Sequence, residues 1–219
     1  MTAMERINRE VDVETDSAKL QGDLSVPSHA QGLVLFAHGS GSGRRSPRNQ
    51  FVAQGLTEAG LATLLLDLLT AEEQKFDEHT MQLRFDVGLL GARVLVATDW
   101  ILNNEELHDL NLGYFGASTG AAAALIAAAK RPEEVHAVVS RGGRPDLAED
   151  VLSAVRAPTL FIVGSRDTPT RAVNEHALPQ MPAPTELSIV PGAGHLFEEP
   201  GALETVVKLT RGWFLRYLP

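Results

Sequence analysis

NLGYFGASTGAAAALIAAA, residues 111 to 129, carries the reading of the whole chain. Leu112–Phe115 is a short apolar run of the kind that forms a buried strand, and the alanine-rich stretch from Thr119 has the composition of a helix. Between them stand Gly116, Ser118 and Gly120 in the pattern G-x-S-x-G. A chain that turns sharply from strand to helix there holds the serine outward, and small residues two before and two after it avoid a steric clash. The helix N-terminus behind Ser118 favours negative charge nearby. Five residues with two glycines also recur by chance, and the competing reading is an ordinary turn with a solvated serine. The rest of the chain has to decide.

Working outward, residues 5 to 26 alternate weakly between apolar and polar, as an antiparallel edge hairpin does. Further apolar runs lie at Leu33–Ala37, Ala62–Leu66, Leu112–Phe115, Val135–Ser140 and Thr159–Val163, and a sixth at Glu186–Val190 lies between Pro184 and Pro191. Helical patterns are expected near 49–59, 84–102, 119–130, 147–155 and 200–217. Near-continuous apolar strands alternating with helices predict an α/β fold whose mainly parallel sheet is covered on both faces. Ligands of such sheets bind at the carboxyl ends of the strands. The residues just past each strand are therefore the informative ones.

The fifth apolar strand ends in FIVGSRD, which places Asp167 just past its end. The sixth leads into VPGAGHLFEEP, which places His195 in a glycine-rich loop before the last helix. Taken singly, Asp167 reads equally well as a helix N-cap for the segment starting near Pro169, and His195 as a turn residue. Together with Ser118 they give the chain order serine, aspartate, histidine, which is the order of the α/β-hydrolase fold and not of the chymotrypsin or subtilisin types.

HGSGSG, residues 38 to 43, leaves the first apolar strand through three glycines. Acyl transfer needs donors for a tetrahedral oxyanion, one from the residue after the nucleophile and one from the loop after an earlier strand. The backbone N–H of Thr119 fits the first and that of Ser40 the second, with Gly39 or Gly41 as alternatives. His38 is expected to bond within the loop. A dinucleotide-binding fingerprint needs G-x-G-x-x-G, and the third interval here is wrong; a P-loop needs G-K-[ST], which is missing after these glycines.

The 219 residues suit one domain, expected to span 1–219. A formal net charge of −9 argues against general nucleic-acid binding, which needs a basic footprint. The absence of cysteine excludes disulfides and a thiolate nucleophile, and is compatible with the cytoplasmic location expected here. The opening residues carry no apolar core of a signal peptide, and no apolar run reaches the roughly 18 residues of a membrane span, so neither secretion nor membrane attachment is expected. The remaining histidines at 29, 79, 108, 136 and 176 show no metal-ligand spacing. Oligomeric state is not legible.

The segments LVLFAHGSGSGRRSPRNQFVA, LATLLLDLLT, GYFGASTGAAAAL, VVSRGGRPDLA, IVGSRD and VPGAGHLFEEPGALE give the chain a resemblance to small α/β-hydrolases of the dienelactone hydrolase-like group. It covers about Leu33 to Leu218. It implies an eight-stranded sheet and Ser118, Asp167 and His195 as a catalytic triad. Segments like these resemble a bacterial subgroup in which some members are fused to a phosphoribosyltransferase domain; no such second domain is expected in these residues. Dienelactone hydrolase itself uses a cysteine nucleophile, where this chain has serine. The resemblance therefore implies hydrolysis of small carboxylic esters through an acyl-serine, with no metal or organic cofactor. A non-catalytic ligand-binding or regulatory protein, or an acyltransferase, would carry the same three residues, because fold does not settle function.

Arginines gather after strand ends: Arg44, Arg45 and Arg48 after the glycine loop, Arg141 and Arg144 in SRGGRPD, and Arg166 beside Asp167. Arg44, Arg45 and Arg141 are candidates for binding an anionic substrate group, since guanidinium holds carboxylate or phosphate bidentately. The competing reading pairs the arginines with carboxylates such as Asp67 and Asp146. Between the strand before Asp167 and the strand bearing it, RGGRPDLAEDVLSAVRAP has room for one helix and no cap, so an open site is expected. TAEEQKFDEHTMQ, residues 70 to 82, is the candidate for a partial cover and equally reads as a solvated loop.

Overall fold

The structure, a computed structural model, describes residues 6–14 and 18–219. Strands β1 (Arg6–Glu14) and β2 (Lys19–Pro27) form the expected antiparallel hairpin; residues 5 and 15–17 of that expectation lie outside the described residues. Next come β3 (Leu33–Ala37), α1 (Pro47–Thr57), β4 (Ala62–Leu66), α2 (Ala71–Thr80), α3 (Val87–Leu102), β5 (Leu112–Ala117) and α4 (Thr119–Lys130). The chain continues through β6 (Val135–Arg141), β7 (Thr159–Gly164), α5 (Thr168–Ala177), β8 (Thr185–Val190) and α6 (Ala202–Tyr217). The eight strands make one sheet in the order β1-β2-β4-β3-β5-β6-β7-β8. Pairing is antiparallel at β1/β2 and β2/β4 and parallel from β4 onward. This is the α/β-hydrolase fold, without a large cap.

Every residue of β3, β4, β5 and β7 is buried, as a sheet covered on both faces requires. Alternation sorts their side chains into two cores. Val34, Phe36 and Phe115 pack with Val52 and Leu56 of α1 and Val206 and Phe214 of α6. Leu33, Leu35 and Tyr114 pack with Val94 and Ile101 of α3 and the alanines of α4. The small α4 side chains let α3 approach closely, and a Cβ added at Gly91 of α3 would stand 2.9 Å from Ile126. Trp213 is buried in the first core and Trp100 packs against the second.

The structure differs from the expected helices in three places. The segment 70–82 contains a regular helix, α2, nucleated by a capping box in which Thr70 accepts from the Glu73 amide and Glu73 from the Thr70 amide. The stretch 84–102 is interrupted: residues 83–85 form a 3-10 turn, and Asp86 restarts the chain as α3 by accepting from the Leu89 amide. The stretch near 147–155 is a run of 3-10 turns, Pro145–Ala154, with non-helical dihedrals at Ala148. Among the described residues no helix is long and apolar enough to cross a membrane.

Candidate active site

The turn between β5 and α4 has the strained shape its sequence predicts. Ser118 sits at φ 51°, ψ −120°, a region that side chains avoid and that costs on the order of 1–3 kcal/mol. Neighbouring backbone pins it there. The Ser118 amide donates to the Arg141 carbonyl at 3.2 Å, and the Ser118 carbonyl accepts from Ala121 and Arg144 at 3.1 and 3.2 Å. The two flanking glycines are sterically required. A Cβ at Gly120 would stand 2.2 Å from the Ala37 carbonyl oxygen, and one at Gly116 would stand 2.4 Å from the Ala121 Cα. Ser118 occupies the N-cap position of α4 but its hydroxyl makes no capping bond, which leaves it available for other chemistry.

The loops after β7 and β8 are laced together by backbone bonds. Ser165 donates to Val190 at 3.0 Å and Arg166 to Ala193 at 2.9 Å, and Gly164 leaves no room for a Cβ, which would meet Ala193 oxygen at 2.3 Å. This lacing sets His195 Nδ1 2.6 Å from Asp167 Oδ2. Asp167 stands at the N-cap position of α5, yet its side chain does not cap the helix. Its carboxylate faces the imidazole instead, so the expected N-cap bond is not made. A proton held on Nδ1 leaves Nε2 free as an acceptor. Glu199 steadies the loop from below, accepting from the Gly194 amide at 3.0 Å and from Arg166 at 2.8 Å.

The loop after β3 is held by His38. Its Nε2 accepts from the Leu68 amide at 3.0 Å, so Nδ1 carries the proton and donates to the Gly39 carbonyl at 2.9 Å. Burial pushes the His38 pKa below the ordinary value, which keeps this neutral tautomer in place. Gly39 lies against the turn between β5 and α4: a Cβ there would stand 3.1 Å from Ser118 Cβ. A side chain there would need its neighbours to give by a few tenths of an ångström, so glycine suits this close approach of the loop to Ser118.

Two cavities meet along this loop. A cavity of about 190 Å³ is lined by Gly39, Ser40, Arg48, Ser118, Arg141 and His195, with Leu196 at its rim. A cleft of about 350 Å³ shares Gly39, Ser40 and Ser42 with it and extends past Asp67 and Leu69 to Gln74 and Glu78 of α2. The segment expected as a partial cover therefore forms one wall of the cleft. Its shape is fixed by Asp77, buried and bonded to Arg84 Nε at 2.6 Å and to the amides of Leu83 and Arg84.

The arginines separate. Arg44 is buried; its amide and Nε donate to Asp67, and its other nitrogens to Asp23, Glu10 and Gln21. Arg144 holds Asp146 bidentately and Arg166 holds Glu199. The pairing with Asp67 and Asp146 weighed from the sequence is thus present. Arg45 is exposed, with Glu10 at 3.7 Å. Of the three substrate-binding candidates, Arg141 alone lines the cavity with Ser118 and His195. Sequence reading placed Arg48 only among the gathered arginines, and it did not single out Glu199 or Phe197, whose ring lies under the Arg141 guanidinium at 5.9 Å. The signal for Glu199 was its place four residues after His195 in the same glycine-rich loop.

The comparisons with known proteins agree with this architecture. The dienelactone hydrolase family model matches residues 25–209. A crystal structure of dienelactone hydrolase from Anabaena variabilis is 56% identical, with a TM-score of 0.96 over 98% of this chain and 99% of that one. Est1E from Butyrivibrio proteoclasticus, solved with ferulic acid bound, shares the fold at 17% identity and a TM-score of 0.81, over 94% and 98% of the two chains. A Mycobacterium tuberculosis protein named "Putative phosphoribosyl transferase Rv0571c" is 51% identical over 211 residues, 96% of this chain and 47% of its own length. The chain thus spans about half the length of this curated relative. With the family model covering most of the fold, this chain belongs to the dienelactone hydrolase family and is an α/β-hydrolase.

Proposed function

We propose that the protein is a serine hydrolase of small carboxylic esters, with Ser118 as nucleophile, His195 as general base and Asp167 as the residue that orients the imidazole and stabilises its charged form. The observation that carries the reading is geometric. A strained Ser118 with an uncommitted hydroxyl shares a cavity with His195, and His195 Nδ1 is 2.6 Å from Asp167. In this reading His195 Nε2 takes the Ser118 proton as the oxygen attacks the ester carbonyl. The Thr119 and Ser40 amides receive the oxyanion, each worth roughly 100- to 1000-fold in rate. The imidazolium then gives its proton to the leaving alcohol, and water, deprotonated by the same imidazole, releases the acid from the acyl-serine. Apart from substrate and water, the reaction as drawn uses side chains and backbone alone, in one domain spanning 1–219.

The name of the mycobacterial relative belongs to a chain about twice as long, of which this chain matches 47%, and the family model matches residues 25–209 of this chain. Ester chemistry is therefore the reading supported by the residues on hand. The absence of a large cap suits short, water-soluble acyl groups. The test is a p-nitrophenyl ester series from acetate to palmitate with wild type and Ser118→Ala. The expected result is turnover favouring two- to four-carbon acyl groups and lost in Ser118→Ala. Wild-type rates in Ser118→Ala would remove the nucleophile assignment, and preference for palmitate would remove the open-site reading.

A further inference from the structure

The loop of residues 191–201 carries His195 between β8 and α6, and its backbone is held in unusual conformations. Gly192, Phe197 and Gly201 sit at φ 73°, 56° and 79°, and for Phe197 this is a region that bulky side chains rarely adopt. The Phe197 side chain is nevertheless buried, in the core that contains Val206 and Phe214. The His195 side chain differs: it is 40% exposed, and among the described residues its hydrogen bond is to Asp167. Its direction is therefore set by the backbone that carries it. Phe197 anchors that backbone after His195. Before His195, the Gly194 amide donates to Glu199 Oε1 at 3.0 Å. The same oxygen accepts from Arg166 Nη2 at 2.8 Å, and Arg166 immediately precedes Asp167. One carboxylate oxygen thus joins the peptide before the histidine to the residue before the aspartate. The other oxygen, Oε2, is buried without a hydrogen-bond partner, which is unfavourable for stability. What Oε1 holds therefore accounts better for this placement than stability does. The adjacent Glu198 offers a comparison: it is exposed, and its hydrogen bond goes to Arg48 Nη1 at 3.1 Å.

We infer that Glu199 is a positioning residue, which clamps the histidine loop to the aspartate loop and so keeps the His195 imidazole against the Asp167 carboxylate. The inference rests on the ester hydrolase reading for what His195 does, and is independent of it for how His195 is held. The bond from the Gly194 amide is charge-assisted and carries most of the effect. The Arg166 side chain is largely exposed, so its ion pair adds less. The Gly194 amide, ahead of Glu199's own amide and Arg166, holds the Glu199 carboxyl below its ordinary pKa. The clamp is therefore charged wherever a neutral imidazole can act as base. Misplacing a reacting group by about 1 Å costs on the order of 100-fold in rate, and Phe197 still tethers the loop without Glu199, so a part of that loss is expected.

The first test is p-nitrophenyl butyrate hydrolysis by wild type and variants, with urea unfolding alongside. In Glu199→Ala, kcat is expected to fall at least about tenfold while KM changes less than about twofold. Glu199→Gln keeps an acceptor for the Gly194 amide and should return to within about threefold of wild type. Arg166→Met should lower kcat by about threefold at most, and should add nothing in the Glu199→Ala background, because both substitutions open the same clamp. Glu198→Gln should leave kcat as it is. If Glu199→Ala does not fold, Glu199→Asp, one methylene shorter, should show the same pattern at reduced size. Wild-type kcat in Glu199→Ala overturns the inference. So does a Gln variant no better than the Ala variant, or a loss of kcat that only follows the unfolded fraction.

The second test needs no turnover. The ¹⁵N shifts of the His195 imidazole, assigned by their absence in His195→Gln, report which ring nitrogen carries the proton in the neutral form. In wild type the proton is expected on Nδ1, fixed there by Asp167. In Glu199→Ala the Nδ1–H fraction should fall below about two-thirds, and Glu199→Gln should restore it. An Nδ1–H fraction equal in wild type and Glu199→Ala overturns the inference whatever the kinetics. The two readings fail separately. Ser118-dependent turnover with an unmoved tautomer leaves the hydrolase and ends the clamp. A tautomer that depends on Glu199 in a protein without ester turnover does the reverse.

Discussion

Arg44 and Arg141 both follow or end strands on the carboxyl-end side of the sheet, are similarly buried, and have opposite surroundings. Arg44 is the hub of a closed network: Asp67 from the end of β4, Asp23 and Glu10 from the hairpin, and Gln21 all accept from it. Arg141 is bounded by an aromatic ring and another arginine, with two donors unspent. The first arrangement joins the antiparallel hairpin to the glycine loop and so sets the shape of the cleft. The second leaves a buried guanidinium among the residues that line the cavity with Ser118. Residue type and burial are nearly equal in the two places, so the partner inventory is what distinguishes them.

The comparison can be broken in several places. The largest expected effect lies on the Ser118 side. Asp167→Asn would favour the wrong imidazole tautomer, and ester turnover is expected to fall about 10⁴-fold. Urea unfolding should move little, since the Asp167 side chain makes no helix cap. Steady-state kinetics beside an unfolding curve checks both, and a loss of stability in place of activity would make Asp167 structural.

Next is Arg44→Met. Removing the hub leaves Asp67 and Asp23 facing each other without their cation. Breaking a buried pair costs about 3–5 kcal/mol, but these carboxylates are partly exposed, so about 2 kcal/mol is expected. Arg141→Met, by contrast, removes an unpaired buried charge and is expected to cost less than about 1 kcal/mol, or to stabilise. Equal losses from the two substitutions, measured by urea unfolding, would abolish the distinction between them.

The smallest effect concerns His38. His38→Gln replaces the fixed Nε2 acceptor of the buried Leu68 amide by a flexible amide oxygen that does not titrate, and is expected to cost about 1 kcal/mol at pH 7.5. Burial lowers the His38 pKa in the folded chain, so the unfolded chain binds the proton first as pH falls. The contribution of this residue is therefore complete above its unfolded pKa of about 6.5 and is lost as pH drops below it. Wild-type stability should fall more steeply between pH 7.5 and 5.5 than that of His38→Gln, as read from urea midpoints at both pH values.

Much of this face was legible in the sequence because it depends on local chemistry. The six apolar runs mark strands that are buried on both sides, and glycine at 116 and 120 is forced by backbone contacts below 2.5 Å. Asp167 and His195 could be placed because each lies in the loop just past a strand, and adjacent parallel strands bring their carboxyl ends together. The helix α2 was less legible: its residues are polar with no apolar stripe, and Thr70 and Glu73, the capping box, were its one local signal. The break at Asp86 escaped because the apolar periodicity of 84–102 runs across it. The fates of the arginines depended on tertiary neighbours. Arg44 meets Asp23 because β2 pairs with β4, and the neighbours of Arg141 are Phe197 and Arg48, brought in from distant parts of the chain.

The measurement closest to the central claim is intact-mass analysis after brief exposure to a fluorophosphonate, with Ser118→Ala alongside. It reads nucleophile activation without requiring the natural substrate. The account predicts rapid addition of one phosphonyl group to wild type and none to Ser118→Ala. A folded wild-type protein that stays unlabelled, or a Ser118→Ala protein that labels equally, would contradict it.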